Sequence, residues 1–227
     1  MPLRAIVFDF DGVIANSEPL HLRAFQDVLA GEHIVLTRDE YYARYLGFDD
    51  AGVFRVIGDA RGAGFSPEQV TALVARKALR MEALEKDASI LFPGAAQTIR
   101  RLAASLPLGI ASGALGAEIR RVLDREQLTI CFAAIVAAED TPASKPAADP
   151  YLRAVQQLSL AVGNRLEPRD CVAVEDSVWG LESARAAGLR TVAVAQTYEP
   201  GDLSAADLVV PAVHDLTLET LAGLCSD

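Results

Sequence analysis

Six short apolar runs, separated by segments of helical periodicity, constrain this chain more than any other feature. They are "IVF" at 6–8, "LGIAS" at 108–112, "AAIVAA" at 133–138, "CVAVED" at 171–176, "TVAVA" at 191–195 and "DLVV" at 207–210. Such continuous β-branched-rich runs suit strands covered on both faces, which is the condition of a parallel sheet. Helical patterns at 94–105, 116–125, 149–159 and 178–187 fall between them, and a last one follows "DLVV". The repeated strand–helix order predicts an α/β fold with a doubly wound, parallel, Rossmann-like sheet of about six strands.

Residues 19–86 break that rhythm, because they contain helical signals and no strand. Leu20, Ala24, Phe25, Val28 and Leu29 recur at helical spacing, as do Val53, Val56, Ile57 and Ala60. Thr37 followed by Glu40 is a capping-box pattern, and Ser66, Pro67 and Gln69 form a second helix start. Val70, Leu73, Val74, Met81 and Leu84 then line one helix face, with Lys77 inside the same stripe. An unpaired lysine is not buried among apolar neighbours, so Lys77 is expected to reach a rim or to meet a substrate anion. The predicted organisation is a core of 1–16 and 90–227 with an all-helical domain, 17–89, inserted after the first strand.

A chain of 227 residues that is 51% hydrophobic has enough apolar surface for this arrangement. Its net charge of −10 excludes a non-specific nucleic-acid binder, and no apolar run is long enough for a membrane span. Cys131, Cys171 and Cys225 lack metal-site spacing and read as buried thiols, so a cytoplasmic location is expected. A monomer is the expected state.

Ligands of open α/β sheets sit at the carboxyl ends of the strands. Here the first strand leads to Asp9 and Asp11, which project to one side if the strand geometry persists. The second leads to Ser112 and Gly113, the third to "EDTPASKP" with Lys145, and the fourth to Glu175, Asp176 and Ser177. Two carboxylates about 5 Å apart repel by roughly 3 kcal/mol at an effective dielectric near 20, so the cluster requires a cation or protons. All-oxygen ligation without histidine or cysteine suits Mg²⁺.

The segments "DFDGV", "ASG", "SKPAADPYL" and "VEDSVWGLESARAAG" resemble, in order, the four motifs of haloacid-dehalogenase-superfamily phosphohydrolases. The subgroup with a helical cap after the first strand, which includes β-phosphoglucomutase-like enzymes, is the one the chain is similar to. The resemblance implies that Asp9 is the nucleophile and Asp11 the general acid and base, with Ser112 and Lys145 on the transferring phosphoryl oxygens. It further implies Mg²⁺ held by Asp9, Asp176 and the Asp11 carbonyl, with Glu175 binding through water or orienting its neighbours. Gly113, Ser17, His21 and Lys77 become candidate substrate-side residues, His21 through a hydrogen bond toward the Asp11 region.

Two departures bear on the reaction. In the mutase pattern a lysine and an arginine that hold a second phosphate stand where this chain has Leu46 and Asp50, and an asparagine stands where it has Gly116. Ser144 precedes Lys145 where glycine is common. The implied activity is therefore a Mg²⁺-dependent phosphatase acting on a small phosphate ester through an aspartyl-phosphate. A phosphosugar mutase and a non-catalytic phosphate-sensing protein are the alternatives.

Overall fold

The computed structural model describes residues 3–45, 48–86 and 89–225. They divide into two compact units, one of Met1–Asn16 with Ile90–Asp227 and one of Ser17–Ser89.

The larger unit contains six strands: β1 (Ala5–Phe8), β2 (Leu108–Ala111), β3 (Phe132–Val136), β4 (Cys171–Glu175), β5 (Arg190–Val194) and β6 (Leu208–Val210). All pair in parallel, in the order β3-β2-β1-β4-β5-β6. Every residue of β1, β2 and β4 is buried, as their unbroken apolar runs require. Small side chains dominate the core, where Ala5, Val7, Ala111 and Ala173 pack with Tyr151, Ala154 and Leu158. The chain proceeds outward from β1 through β2 to β3, then crosses back to β4. The ends of β1 and β4 consequently flank the point where strand order reverses, the crevice at which such sheets bind ligands.

The ladder continues one rung past β1, since the Asp9 N–H donates to Val174 O at 2.9 Å. It does not persist to Asp11. The chain bends at Phe10 and turns at Gly12, whose φ of 78° no side chain adopts easily, so Asp9 and Asp11 are not related by simple strand alternation. The chain leaving and re-entering this unit is stitched together by Asn16 N–H to Ile90 O and Phe92 N–H to Ile14 O, at 2.6 and 3.0 Å.

The smaller unit is helical: α1 (Glu18–Ala30), α2 (Arg38–Arg44), α3 (Asp50–Ala60) and α4 (Pro67–Glu85). Ser66 and Gln69 form the full capping box at the start of α4. Thr37 caps α2 by accepting the Glu40 N–H, but the Glu40 side chain does not return the bond; it binds Arg61 instead. The buried face of α3 is Val53, Phe54, Ile57 and Gly58, while Val56 and Ala60 are exposed. The ring of Phe54, 5.1 Å from that of Phe25, rotates the helix away from the expected stripe. Position 46 lies outside the described residues.

The larger unit continues with α5 (Ala95–Ala103), α6 (Gly116–Arg125), α7 (Asp149–Val162), α8 (Val178–Ala186) and α9 (Leu218–Gly223).

Candidate active site

Asp9 follows β1 directly, Glu175 ends β4 and Asp176 follows it, so adjacent strands bring three acids to one sheet edge. All three are buried, and each offers an oxygen within 4.8 Å of the others. Lys145, in the loop before α7, places Nζ 2.5 Å from Glu175 Oε1 and 2.8 Å from Asp9 Oδ1. Among the described residues the second contact, an ion pair, is what meets the buried Asp9 Oδ1.

Glu175 is held on every side. Its Oε1 accepts from Lys145 and, at 2.6 Å, from the Tyr151 hydroxyl on α7; its Oε2 accepts from the Asp176 N–H and the Ser177 hydroxyl at 3.2 and 3.3 Å. Ser177 at the same time caps α8 by accepting the Gly180 N–H. Two glycines make room for the acids. A Cβ on Gly12 would stand 2.0 Å from Asp176 Oδ2, and one on Gly180 would stand 1.9 Å from Glu175 Cδ.

Crowding acids in a low-dielectric site raises the cost of their charges. Burial pushes Asp9 up to about 6, with Lys145 opposing and Glu175 reinforcing the rise. Asp176 is pushed well above the usual carboxylate range by burial and then by Glu175 and Asp9. Burial alone would lower Lys145, but the carboxylates of Asp9 and Glu175 outweigh it and hold the ammonium charged. Three acids against one ammonium, each acid offering an oxygen, fit a hard divalent cation held by oxygen donors.

Ser112 follows β2, is buried, and accepts the Ala114 N–H on its Oγ at 3.0 Å, which leaves the hydroxyl proton to donate. Gly113 beside it is exposed. At the start of α6 the Gly116 N–H donates to both oxygens of Glu139, at 3.1 and 3.2 Å. Asp11 is half-buried, and its carboxylate is not one of the three-acid group.

The helical unit holds a second polar cluster. Lys77 is 1% exposed and does not reach a rim: its Nζ lies 2.6 Å from Asp50 Oδ1 and 2.6 Å from His21 Nδ1, over the Phe25 ring. Pairing with Asp50 is what makes that burial tolerable, and of the two expectations for Lys77 the rim is the one that fails. His21 therefore has Lys77 as a partner. Burial and the lysine's charge push its imidazole down to about 3. Glu18 bonds to the Tyr41 hydroxyl in the same cluster, and Ser17 is buried at the start of α1.

Sequence reasoning missed Tyr151, Gln196 and Thr197. Tyr151 sits six residues after Lys145 within the quoted "SKPAADPYL". Gln196 follows β5 and donates to the Gly12 and Val13 carbonyls while accepting the Val213 N–H. Thr197, next in the chain, opposes the rise of the Asp176 carboxyl. Reading the end of the fifth strand as closely as the first four would have found the last two.

A family model of haloacid dehalogenase-like hydrolases matches residues 3–188. Protein CbbY of Rhodobacter capsulatus is 35% identical over 234 residues, covering 99% of this chain and 100% of that protein. Hexitol phosphatase B of Escherichia coli K12 is 30% identical, covering 96% of each. A crystal structure of a mutant CbbY from Rhodobacter sphaeroides in complex with xylulose-1,5-bisphosphate superposes with a TM-score of 0.80 at 26% identity, covering 97% of this chain and 99% of that one.

Proposed function

The chain belongs to the haloacid dehalogenase-like hydrolase family, and we propose that it is a Mg²⁺-dependent phosphatase for monoesters of small, polyhydroxylated metabolites. One observation carries the reading: Asp9, Glu175 and Asp176 cluster at the point where strand order reverses, with Lys145 paired to the first two.

Asp9 attacks phosphorus, forming an acyl-phosphate bond as the ester P–O bond breaks, and Asp11 gives the departing alkoxide its proton. A water then attacks the same phosphorus, Asp11 takes its proton, and phosphate leaves Asp9. Although Asp9 is raised to about 6, it is mainly ionised at pH 7 and able to act as a nucleophile. Lys145 and the Ser112 hydroxyl hold the transferring oxygens, where charge and position govern phosphoryl transfer. Asp9, Asp176 and the Asp11 carbonyl would hold Mg²⁺, which neutralises phosphoryl charge when bound. Glu175, already accepting four hydrogen bonds, orients its neighbours.

Gly113, Ser17, His21 and Lys77 are the proposed substrate-side groups. Lys77 is already matched by Asp50, so it carries no spare charge for a second phosphate. The start of α6 is likewise taken by the chain's own Glu139 carboxylate. Both observations favour a hydrolase over a mutase, which must hold the distal phosphate of a bisphosphate.

The test is a substrate panel with Mg²⁺ comprising hexitol monophosphates, xylulose-1,5-bisphosphate and β-glucose 1-phosphate with its bisphosphate activator. The expected result is phosphate release, with the highest kcat/KM on a hexitol monophosphate. A preference for the bisphosphate would overturn the substrate side and leave the hydrolase standing. Glucose 6-phosphate accumulating faster than phosphate would replace the hydrolase with the mutase.

A further inference from the structure

The geometry points to Tyr151 as a positioning residue for Lys145, acting through Glu175; the inference rests on the phosphatase reading. Tyr151 projects from α7, completely buried, and makes two contacts with the ion-pair cluster. Its hydroxyl donates to Glu175 Oε1, the oxygen that also accepts from Lys145, and its ring lies 5.2 Å from Lys145 Nζ. Phenol and ammonium thus share one acceptor while the aromatic face lies against the cation.

The shared acceptor sets where the ammonium stands. Lys145 lies between the carboxylates of Asp9 and Glu175, and it serves a phosphoryl oxygen beside Asp9 as long as it stays there. Glu175 is fixed on its Oε2 side by Asp176 and Ser177, whereas on its Oε1 side the Tyr151 hydroxyl is the donor that stands beside Lys145. Without the hydroxyl, Oε1 turns toward its remaining donor and draws the ammonium away from Asp9. Burial and the neighbouring Glu175 also push the phenol well above its ordinary range, so it remains a donor at every working pH. The transferring oxygens gain charge in the transition state, so the displacement is expected in kcat more than in KM.

Tyr151→Phe keeps the ring and removes the hydroxyl. The expected outcome is a kcat about tenfold lower, a KM within about twofold, and a changed Lys145 side-chain nitrogen resonance in the ligand-free protein. Tyr151→Leu, which also removes the aromatic face, is expected to lower kcat further. Thermal unfolding of each variant identifies any that fails to fold, and the phenylalanine variant, which keeps the ring volume, is the deciding one. An unmoved Lys145 resonance, or an unchanged kcat in an active enzyme, overturns the proposal. Should the wild-type protein hydrolyse no phosphate ester, the phosphatase reading fails, and the ligand-free resonance still decides whether Tyr151 positions Lys145.

Discussion

Two lysines, a partly buried one in the larger unit and a fully buried one in the smaller, meet their acids in different proportions. Lys145 stands among Asp9, Glu175 and Asp176, three acids to one base. Lys77 stands against Asp50 with His21 beside it, and burial and the lysine's own charge keep that imidazole neutral. The first cluster has negative charge to spare and calls for a cation and a phosphoryl group. In the second, Lys77 is matched by Asp50, while Glu18 beside it is raised by burial and held by the Tyr41 hydroxyl. Residue type alone does not separate the two lysines; the groups that oppose them do.

Removing the excess at its source should have the largest effect. Asp9→Asn takes away the proposed nucleophile and a proposed metal ligand, and activity on a generic aryl phosphate should fall to background. Asp11→Asn should cost about 10² to 10⁴ in kcat through lost proton transfer. Steady-state assays at saturating Mg²⁺ check both. Wild-type turnover by Asp9→Asn would leave the strand-end acids without their proposed role.

The same excess should be visible without any substrate. Mg²⁺ binding the folded cluster alone should stabilise the protein by about 2.7 kcal/mol at a hundred times its Kd, read as a rise in Tm by calorimetry. Asp176→Asn should abolish most of that rise, and Lys77→Met should leave it intact. An equal loss in both variants would erase the distinction between the clusters.

The core cluster was legible because strand ends in a parallel sheet are fixed by topology. Once the apolar runs were ordered, Asp9, Lys145, Glu175 and Asp176 had to fall on one edge. What the sequence concealed was pairing. Asp50 lies 27 residues from Lys77 and on another helix, so no local pattern announces that they meet. The bend at Phe10 was equally hidden, because alternation is a property of extended chain and Gly12 ends it. Tyr151 looked like a core aromatic on a helix face, and it is one; its hydroxyl finds Glu175 only through the packing of α7 on the sheet.

Breaking the balanced pair should have a moderate effect. Lys77→Met leaves Asp50 without its cation, but the Asp50 side chain is 30% exposed and water reaches it. The cost in urea unfolding should therefore be about 1 to 2 kcal/mol, below that of a fully buried pair. Asp50→Asn in the same chain should recover at least half of it, since two neutral groups no longer leave a charge unmet. Additive losses in the double variant would show that the two residues do not act as a pair.

The smallest effect lies with His21, and its sign follows from its surroundings. The folded imidazole is pushed down to about 3, against 6.5 ordinarily, by burial and by Lys77. The unfolded chain therefore takes up a proton between pH 6.5 and 3 that the folded chain refuses. Stability from this group is complete above about pH 7 and is lost as the pH falls. Between pH 7 and 5 the full effect is about 2 kcal/mol, and partial exposure of the ring reduces it to about 1. Glu18 works in the opposite direction, because burial raises its carboxyl, so the comparison must be with His21→Asn and not with pH alone. Hydrogen exchange of the α1 and α4 amides should accelerate more in the wild type than in the variant as the pH falls from 7 to 5, after correction for intrinsic rates. Parallel behaviour of the two proteins would mean that the imidazole protonates in place beside Lys77, and the neutral partner assumed for that lysine would be lost.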